Sequence, residues 1–329
     1  MKFINKIKNY IPVIILILTY SHEARSDINV VTSIKPLHSI ASNIMDGLSE
    51  PTLLVEGTTS PHSYIMKPSH VDAINNADLI FFVSDEHLET FLAKPLSNIN
   101  NNAKIIDLMD NEDLFVLKFR EKNIYLRDDH DEHDDHDEHD DHDEHDDHDE
   151  HGHHEHAHGE FDVHIWLDPF NAKVIANNIA EELSKLDPAN TSTYQNNRDK
   201  FLEKLTDTEE KISQQLDHYV SYVTFHDAYQ YFENRFDVAS SGALTINPDV
   251  MPGARQLSDV RELMADNDIH CIFSEPQFNP KVVEVIAEDT NTKMGILDPL
   301  GATIPLGKDH YFRVLTDIAD SLEDCGHDH

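Results

Sequence analysis

Two rhythms of apolar and polar positions alternate along this chain. Short apolar runs occur at Asn29–Ser33, Thr52–Val55, Leu79–Val83 and Ala103–Asp107. Between them, Pro36–Met45, Ser69–Asn76 and Glu86–Leu92 carry apolar residues at three- and four-residue spacing. Compact runs of this kind predict strands and the wider spacing predicts helices, Ser69 serving as an N-cap. Strand and helix signals in strict alternation predict a parallel sheet with helices on both faces.

The second half of the chain repeats the alternation. Strands are expected at Tyr219–Phe225, Val238–Leu244 (a strand or a turn), Cys271–Ser274 and Lys293–Leu297. Helices are expected at Tyr229–Arg235, Gln256–Asn267, Pro280–Asp289 and Tyr311–Leu322. Between the halves, Val163–Leu167 resumes the ordered fold and a helix runs from Asp168-Pro169 to about Leu186. Asp187-Pro188 then opens a longer one, since Asp suits an N-cap and Pro the first helical position. From Ala189 to about Asp217, the apolar Tyr194, Phe201, Leu202, Leu205, Ile212 and Leu216 fall on one helical face. That is roughly 30 residues, or ~45 Å at 1.5 Å per residue. The fold class expected is α/β, two parallel-sheet lobes joined by one long rigid helix. Its parts are residues 27–187, the linking helix 188–218, and residues 219–329.

The amino terminus departs from both rhythms. Lys2, Lys6 and Lys8 precede an apolar run from Ile11 to Leu18, and Ala24-Arg25-Ser26 offers small residues for cleavage. The run is too short to span a bilayer, so residues 1–26 read as a secretory signal peptide with a mature start near Asp27. The product is expected in the periplasm, with no direct membrane insertion.

A second departure runs from Asp128 to Glu160. Asp-Asp-His-Asp-Glu-His occurs four times between Asp128 and His151, then relaxes into Gly152-His153-His154-Glu155-His156-Ala157-His158-Gly159. A tract so poor in apolar side chains has nothing with which to build a core, so a solvated loop within the first lobe is expected. Its imidazoles are His130, His133, His136, His139, His142, His145, His148, His151, His153, His154, His156 and His158, set among eighteen carboxylates. A plain acidic tract would serve solubility. Imidazole at a strict three-residue period points instead to borderline-soft divalent metals, with carboxylate as the second-choice ligand. The repeat is degenerate, so it should hold several ions loosely rather than form one closed site, and protons should compete as pH drops.

The formal net charge of −38 owes much to this tract. Without the leader's four basic and one acidic residue and the tract's eighteen acids, 21 basic and 44 acidic residues remain, a balance of −23. That still argues against nucleic acid or an anionic membrane surface as partner. The two cysteines, Cys271 and Cys325, suit an oxidising compartment. A disulfide between them would close a loop of about 55 residues and contribute ~4 kcal/mol on the chain-entropy model; two free thiols are the alternative.

Ligands of open α/β sheets bind beyond the carboxyl ends of the strands. Three histidines fall there: His62 after the second strand, His164 in Val163-His164-Ile165, and His226 at the end of Tyr222-Val223-Thr224-Phe225. Any one alone is more often a satisfied structural imidazole. Three strand-end histidines across both halves suggest one site, with Asp298 after Gly295-Ile296-Leu297 as a fourth oxygen. Three imidazoles plus a carboxylate or water suit tetrahedral Zn²⁺ at ~2.0–2.1 Å. His38 and His87 are candidates to stand behind the ligands, and Glu275 to orient one of them. Trp166 reads as core packing beside His164. His70, His218, His270 and His310 read as exposed or satisfied, and His327 and His329 as a weak contact at a frayed end.

At these residues the chain resembles the ZnuA family, the zinc-binding periplasmic proteins of ABC importers within the metal-binding solute-binding proteins. The matching stretches are Ser33-Ile34-Lys35-Pro36-Leu37, Pro61-His62-Ser63-Tyr64 with Lys67-Pro68-Ser69, and His164-Ile165-Trp166-Leu167-Asp168-Pro169. They continue with Phe225-His226-Asp227-Ala228-Tyr229-Gln230-Tyr231-Phe232, Ser274-Glu275-Pro276-Gln277-Phe278 and Leu297-Asp298-Pro299-Leu300-Gly301. The resemblance spans essentially the whole mature chain and includes an acidic His-rich loop. It implies two lobes, a connecting helix, and one Zn²⁺ between them held by His62, His164 and His226. Manganese members are similar but carry a carboxylate at the position of His226. Some zinc members place an acid before the first histidine, where this chain has Pro61, which leaves the fourth ligand between Asp298 and water. The resemblance also implies a Cys271–Cys325 disulfide, a monomer, and an ABC permease as partner.

Three other roles are weighed against zinc capture. A zinc hydrolase would need a general base near the metal-bound water, and no His-Glu-x-x-His motif is present, so no enzyme is expected. A periplasmic zinc store or chaperone would act mainly through the repeat and bind many ions at similar affinity. Nothing in the sequence supports an adhesin.

Overall fold

The computed structural model describes residues 28–99, 102–120, 122–124, 160–216, 220–248 and 250–326. The expected leader, the repeat from Asp128 to Gly159 with its twelve histidines, and His218, His327 and His329 lie outside them. Among the described residues no helix is long and apolar enough to cross a membrane.

The first half forms β1 (Val30–Thr32), α1 (Lys35–Ile44), β2 (Thr52–Leu53), α2 (Pro68–Asn75), β3 (Leu79–Phe82), α3 (Ala93–Ser97) and β4 (Lys104–Asp107). Its strands pair in parallel in the order β2-β1-β3-β4. Next come α4 (Pro169–Leu186) and α5 (Thr191–Gln215). The second half forms β5 (Tyr222–His226), α6 (Gln230–Phe236), β6 (Gly242–Thr245), α7 (Ala254–Asp266), β7 (Cys271–Ser274), α8 (Lys281–Thr290), β8 (Lys293–Ile296) and α9 (His310–Gly326). Its sheet, also parallel, has the order β6-β5-β7-β8. The two-lobed parallel α/β architecture is therefore as expected.

The central strands are buried on both faces, as parallel sheets require. In β3, Leu79 and Phe81 enter the main core, whereas Ile80 and Phe82 pack into an outer cluster with Val31, Leu54 and Ile74. In the second sheet Tyr222, Cys271 and Phe273 face the main core; Val223, Phe225 and Ile272 face a separate cluster with Val260, Leu263, Val283 and Ile286. Period-two alternation thus sends the inner face of each sheet into one shared core.

Helix α5 is 25 residues long, ~37 Å, shorter than expected because Pro188–Asn190 forms a 3₁₀ turn. It buries Tyr194, Phe201, Leu205 and Ile212 and packs against α1, α4 and α9. Helix α9 also returns onto α1, and a Cys271–Cys325 disulfide ties it to β7.

One expected helix, Glu86–Leu92, is displaced. The chain turns after β3, forms a 3₁₀ turn at Thr90–Leu92, and only then makes the five-residue α3. The cause is Glu89, which is fully buried. Its carboxylate accepts from the backbone N–H groups of Val83 and Ser84 and from the Ser33 hydroxyl, so it caps the end of β3 instead of facing solvent.

Candidate metal centre

His62, His164 and His226 each offer a ring nitrogen, and the three nitrogens lie within 4.8 Å of one another. Among the described residues no other group of three or more histidine, cysteine or acidic side chains is so placed. The three reach this point from different elements. His226 is the last residue of β5. His62 follows β2 on a loop pinned by the Tyr64 hydroxyl, which donates to the Leu54 carbonyl at 2.9 Å; the Ser60 hydroxyl accepts from the His62 N–H at 3.2 Å. His164 does not end a strand but precedes a 3₁₀ turn at Ile165–Leu167. Trp166 in that turn is buried, donates from Nε1 to the Pro299 carbonyl at 2.7 Å, and backs the His164 ring at 5.3 Å between centroids.

Two carboxylates orient two of the rings. The Asp162 side chain accepts from both the backbone N–H and Nδ1 of His164, at 2.9 and 2.7 Å. Glu275 accepts from Nδ1 of His226 at 2.9 Å. That second pairing follows from strand register, because Thr224 sits beside Phe273 and two further residues bring His226 beside Glu275. Nδ1–H donation to a carboxylate fixes the tautomer and leaves Nε2 as an unprotonated acceptor. The two Nε2 atoms of His164 and His226 are 3.3 Å apart, both rings being almost wholly buried. Two lone pairs held face to face repel unless a cation lies between them. The separation also equals the edge of a tetrahedron with metal–nitrogen bonds of ~2.0–2.1 Å. The donor set and its spacing therefore fit Zn²⁺.

The cavity around these rings, lined also by Pro61, Gln277, Phe278 and Leu300, has a volume of ≈ 10 Å³. That is room for an ion or one water rather than an organic substrate.

Asp298 is not brought into this group. Its Oδ1 accepts from Gln277 Nε2 at 2.7 Å and from the Leu300 N–H at 3.2 Å, and its Oδ2 accepts from the Ala302 N–H at 2.6 Å. Two of these three bonds tie it to the turn that follows β8. Lys35 secures the same turn by donating to the Ala302 carbonyl; burial lowers the pKa of this ammonium while Asp298 partly restores it. Gly301 sits there at φ +61° against the His310 ring and Val314, where any Cβ would collide.

Among the described residues, no other histidine lines this cavity. His38 bonds the Pro51 carbonyl at 3.1 Å, His310 bonds the Leu300 carbonyl at 2.9 Å, His70 stacks on Tyr64, and His87 sits among the acids of a separate cavity. Asp162 was not singled out from the sequence. The signal was an Asp two residues before a histidine, a spacing that lets one carboxylate bond backbone and ring together.

Known proteins resemble this chain along most of its length. The high-affinity zinc uptake system protein ZnuA of Brucella abortus (strain 2308) is 42% identical over 304 residues, covering 90% of this chain and 91% of that one. The protein of the same description from Haemophilus ducreyi is also 42% identical, over 90% of this chain and 93% of its own. Among solved structures, a mutant of the laminin-binding adhesin of Streptococcus agalactiae superposes with a TM-score of 0.71 at 24% identity, covering 91% and 99% of the two chains. A crystal structure of ZnuA gives 0.69 at 24% identity, over 89% and 98%. At that identity both bear on the fold alone. The family model described as zinc-uptake complex component A, periplasmic, matches residues 30–325, and the chain belongs to that family.

Proposed function

We propose that this chain captures Zn²⁺ in the periplasm with high affinity and delivers it to an ABC permease for uptake. The observation that carries the reading is the facing pair of buried Nε2 atoms on His164 and His226, 3.3 Å apart, with His62 closing the triangle. Each ring of the pair is backed by a carboxylate, which raises ligand basicity and fixes orientation. The names of the curated relatives support the same cargo.

In this reading residues 1–26 are a cleaved leader, the chain works as a monomer, and the ion is cargo rather than a catalytic group. The lobes are residues 27–187 and 219–329, with 188–218 between them. Helix α5 packs against α1, α4 and α9, so wide hinge opening would tear the shared core. Release follows instead from small shifts of the loops that carry His62 and His164. The histidines of the tract 128–160 bind further ions weakly, to gather zinc, pass it on or sense its excess.

The test is single substitution of His62, His164 and His226 by Ala, with zinc affinity read by competition against a chelator. Each should cost more than the ~10–100-fold that loss of an orienting partner costs. Unchanged tight binding in all three variants would overturn the assignment.

A further inference from the structure

We propose that Gln277 supplies the oxygen that faces the captured ion's fourth coordination position, accepting a hydrogen bond from the water bound there. The inference rests on the zinc-capture reading and deepens it, because it names the residue that decides what may occupy that position.

Gln277 lies two residues beyond Glu275 and lines the same small cavity as the three imidazoles. Its Nε2 donates to Asp298 Oδ1 at 2.7 Å. Asp298 also takes the N–H groups of Leu300 and Ala302, three donors in all, as suits a carboxylate that only accepts. Chemistry therefore settles which end of the amide is which: nitrogen toward Asp298, oxygen away from it. That oxygen, Oε1, is buried and has no donor among the described residues. The nearby indole N–H of Trp166 is already given to Pro299. A buried acceptor without a donor is costly and rare, and this one belongs to a residue that lines a cavity with room for one ion or water.

A water on Zn²⁺ is a strong donor, because the metal lowers its pKa. A neutral amide oxygen receives that hydrogen bond without drawing the proton away. It also adds no negative charge to a site whose carboxylates, Asp162 and Glu275, stand behind the rings rather than on the ion. Hard divalent ions such as Mn²⁺ favour anionic oxygen and higher coordination. A neutral oxygen at the fourth position thus keeps the donor set suited to zinc, and Asp298 acts as the clamp that aims it.

The experiment uses the full-length chain and its Gln277→Met, Gln277→Glu and His164→Ala variants. Zn²⁺ and Mn²⁺ affinities are read by chelator competition, and the visible spectrum is recorded with one equivalent of Co²⁺. Gln277→Met should lose about tenfold in zinc affinity, the worth of one hydrogen bond involving a charged group, and shift the Co²⁺ bands. Gln277→Glu, nearly isosteric, should narrow the preference for Zn²⁺ over Mn²⁺ by about tenfold, and it decides the matter should the Met variant fold poorly. Parental affinity, preference and spectrum in both Gln277 variants would overturn the proposal. If His164→Ala loses tight zinc in that same series, the capture reading stands while the role of Gln277 falls; if His164→Ala keeps tight zinc, the capture reading itself falls.

Discussion

Arg120 is bonded to Asp227, the residue that follows His226. Its Nη1 donates to Asp227 Oδ1 at 2.9 Å, while Nη2 donates to Glu233 at 2.6 Å. The segment leading toward the acidic tract is thus fastened to the strand end that carries one imidazole. Where the chain returns, Asp162 orients another, and the Tyr231 hydroxyl joins the two sides by donating to the Asp162 carbonyl at 2.6 Å and accepting from the Leu117 N–H at 3.1 Å.

Removing that guanidinium should destabilise the fold more than a surface ion pair would. Asp227 and Glu233 are each only 3% exposed, and Arg120 only 22%. Taking one partner from a buried pair typically costs ~3–5 kcal/mol, because the remaining charge stays desolvated. Arg120→Ala should therefore lower the unfolding free energy of the metal-free chain by about 3 kcal/mol, read from urea melts. A loss below about 1 kcal/mol, the range of exposed pairs, would show that water replaces the guanidinium freely.

The carboxylates behind the rings should matter for zinc more than for folding. Asp162→Asn and Glu275→Gln preserve shape and leave an oxygen able to accept from Nδ1–H, but remove the charge that makes each imidazole a better donor to the ion. Each should weaken zinc binding by ~10–100-fold, measured by chelator competition. A stoichiometry of one tight ion should survive in both variants.

Glu89 predicts a pH dependence of stability. Burial pushes its carboxyl up from 4.5 to about 7, against the pull of its hydrogen bonds to Ser33, Ser84 and Val83. An acid whose folded pKa is raised holds its proton more tightly in the fold than in the unfolded chain. Its stabilising contribution is then full below about 4.5 and is lost as pH rises through 7. The span corresponds to roughly 3 kcal/mol. Between pH 5 and pH 8 the parent should lose up to about that much unfolding free energy relative to Glu89→Gln. Asp107, also pushed up to about 7 by burial, adds to the rise at Glu89, so the two carboxyls titrate as a pair and the difference reads Glu89 together with its coupling to Asp107. Parallel pH profiles would mean that Glu89 stays ionised throughout.

The legible parts of this structure are those with local signals. Leu79-Ile80-Phe81-Phe82 reads as a strand because every side chain is buried, on alternating sides, and Pro169 marks the start of α4 by chemistry alone. His62 stands out because it follows a strand and His226 because it ends one. The unread parts depend on distant partners. By composition Glu89 looks like a solvent-facing helical residue, and only the neighbouring β1 and β3 turn it inward. Asp298 looks like a ligand, since sequence cannot distinguish an acid aimed at a metal from one clamped by Gln277, Leu300 and Ala302. Arg120 meets its carboxylates 107 and 113 residues away, beyond any local pattern.

The stretch Asp128–Gly159 should be separable from the tight site, because the described residues on either side of it are bonded to the fold. Before it, the Asn123 carbonyl accepts from the Ala243 N–H at 2.8 Å, and Ile124 bridges Gly242 at the edge of the second sheet. After it, the Phe119 N–H donates to the Glu160 carbonyl at 3.1 Å and the Asp162 N–H to the Leu117 carbonyl at 2.9 Å. Replacing Asp128–Gly159 with a short Gly/Ser linker should leave these bonds, and with them the aim of Asp162 on His164. Titration calorimetry should then show one tight zinc ion with affinity within about threefold of the parent, about 0.6 kcal/mol, and the weak sites gone. Loss of the tight ion along with the weak ones would make the tract a primary ligand, and the division between cleft and tract would have to be abandoned.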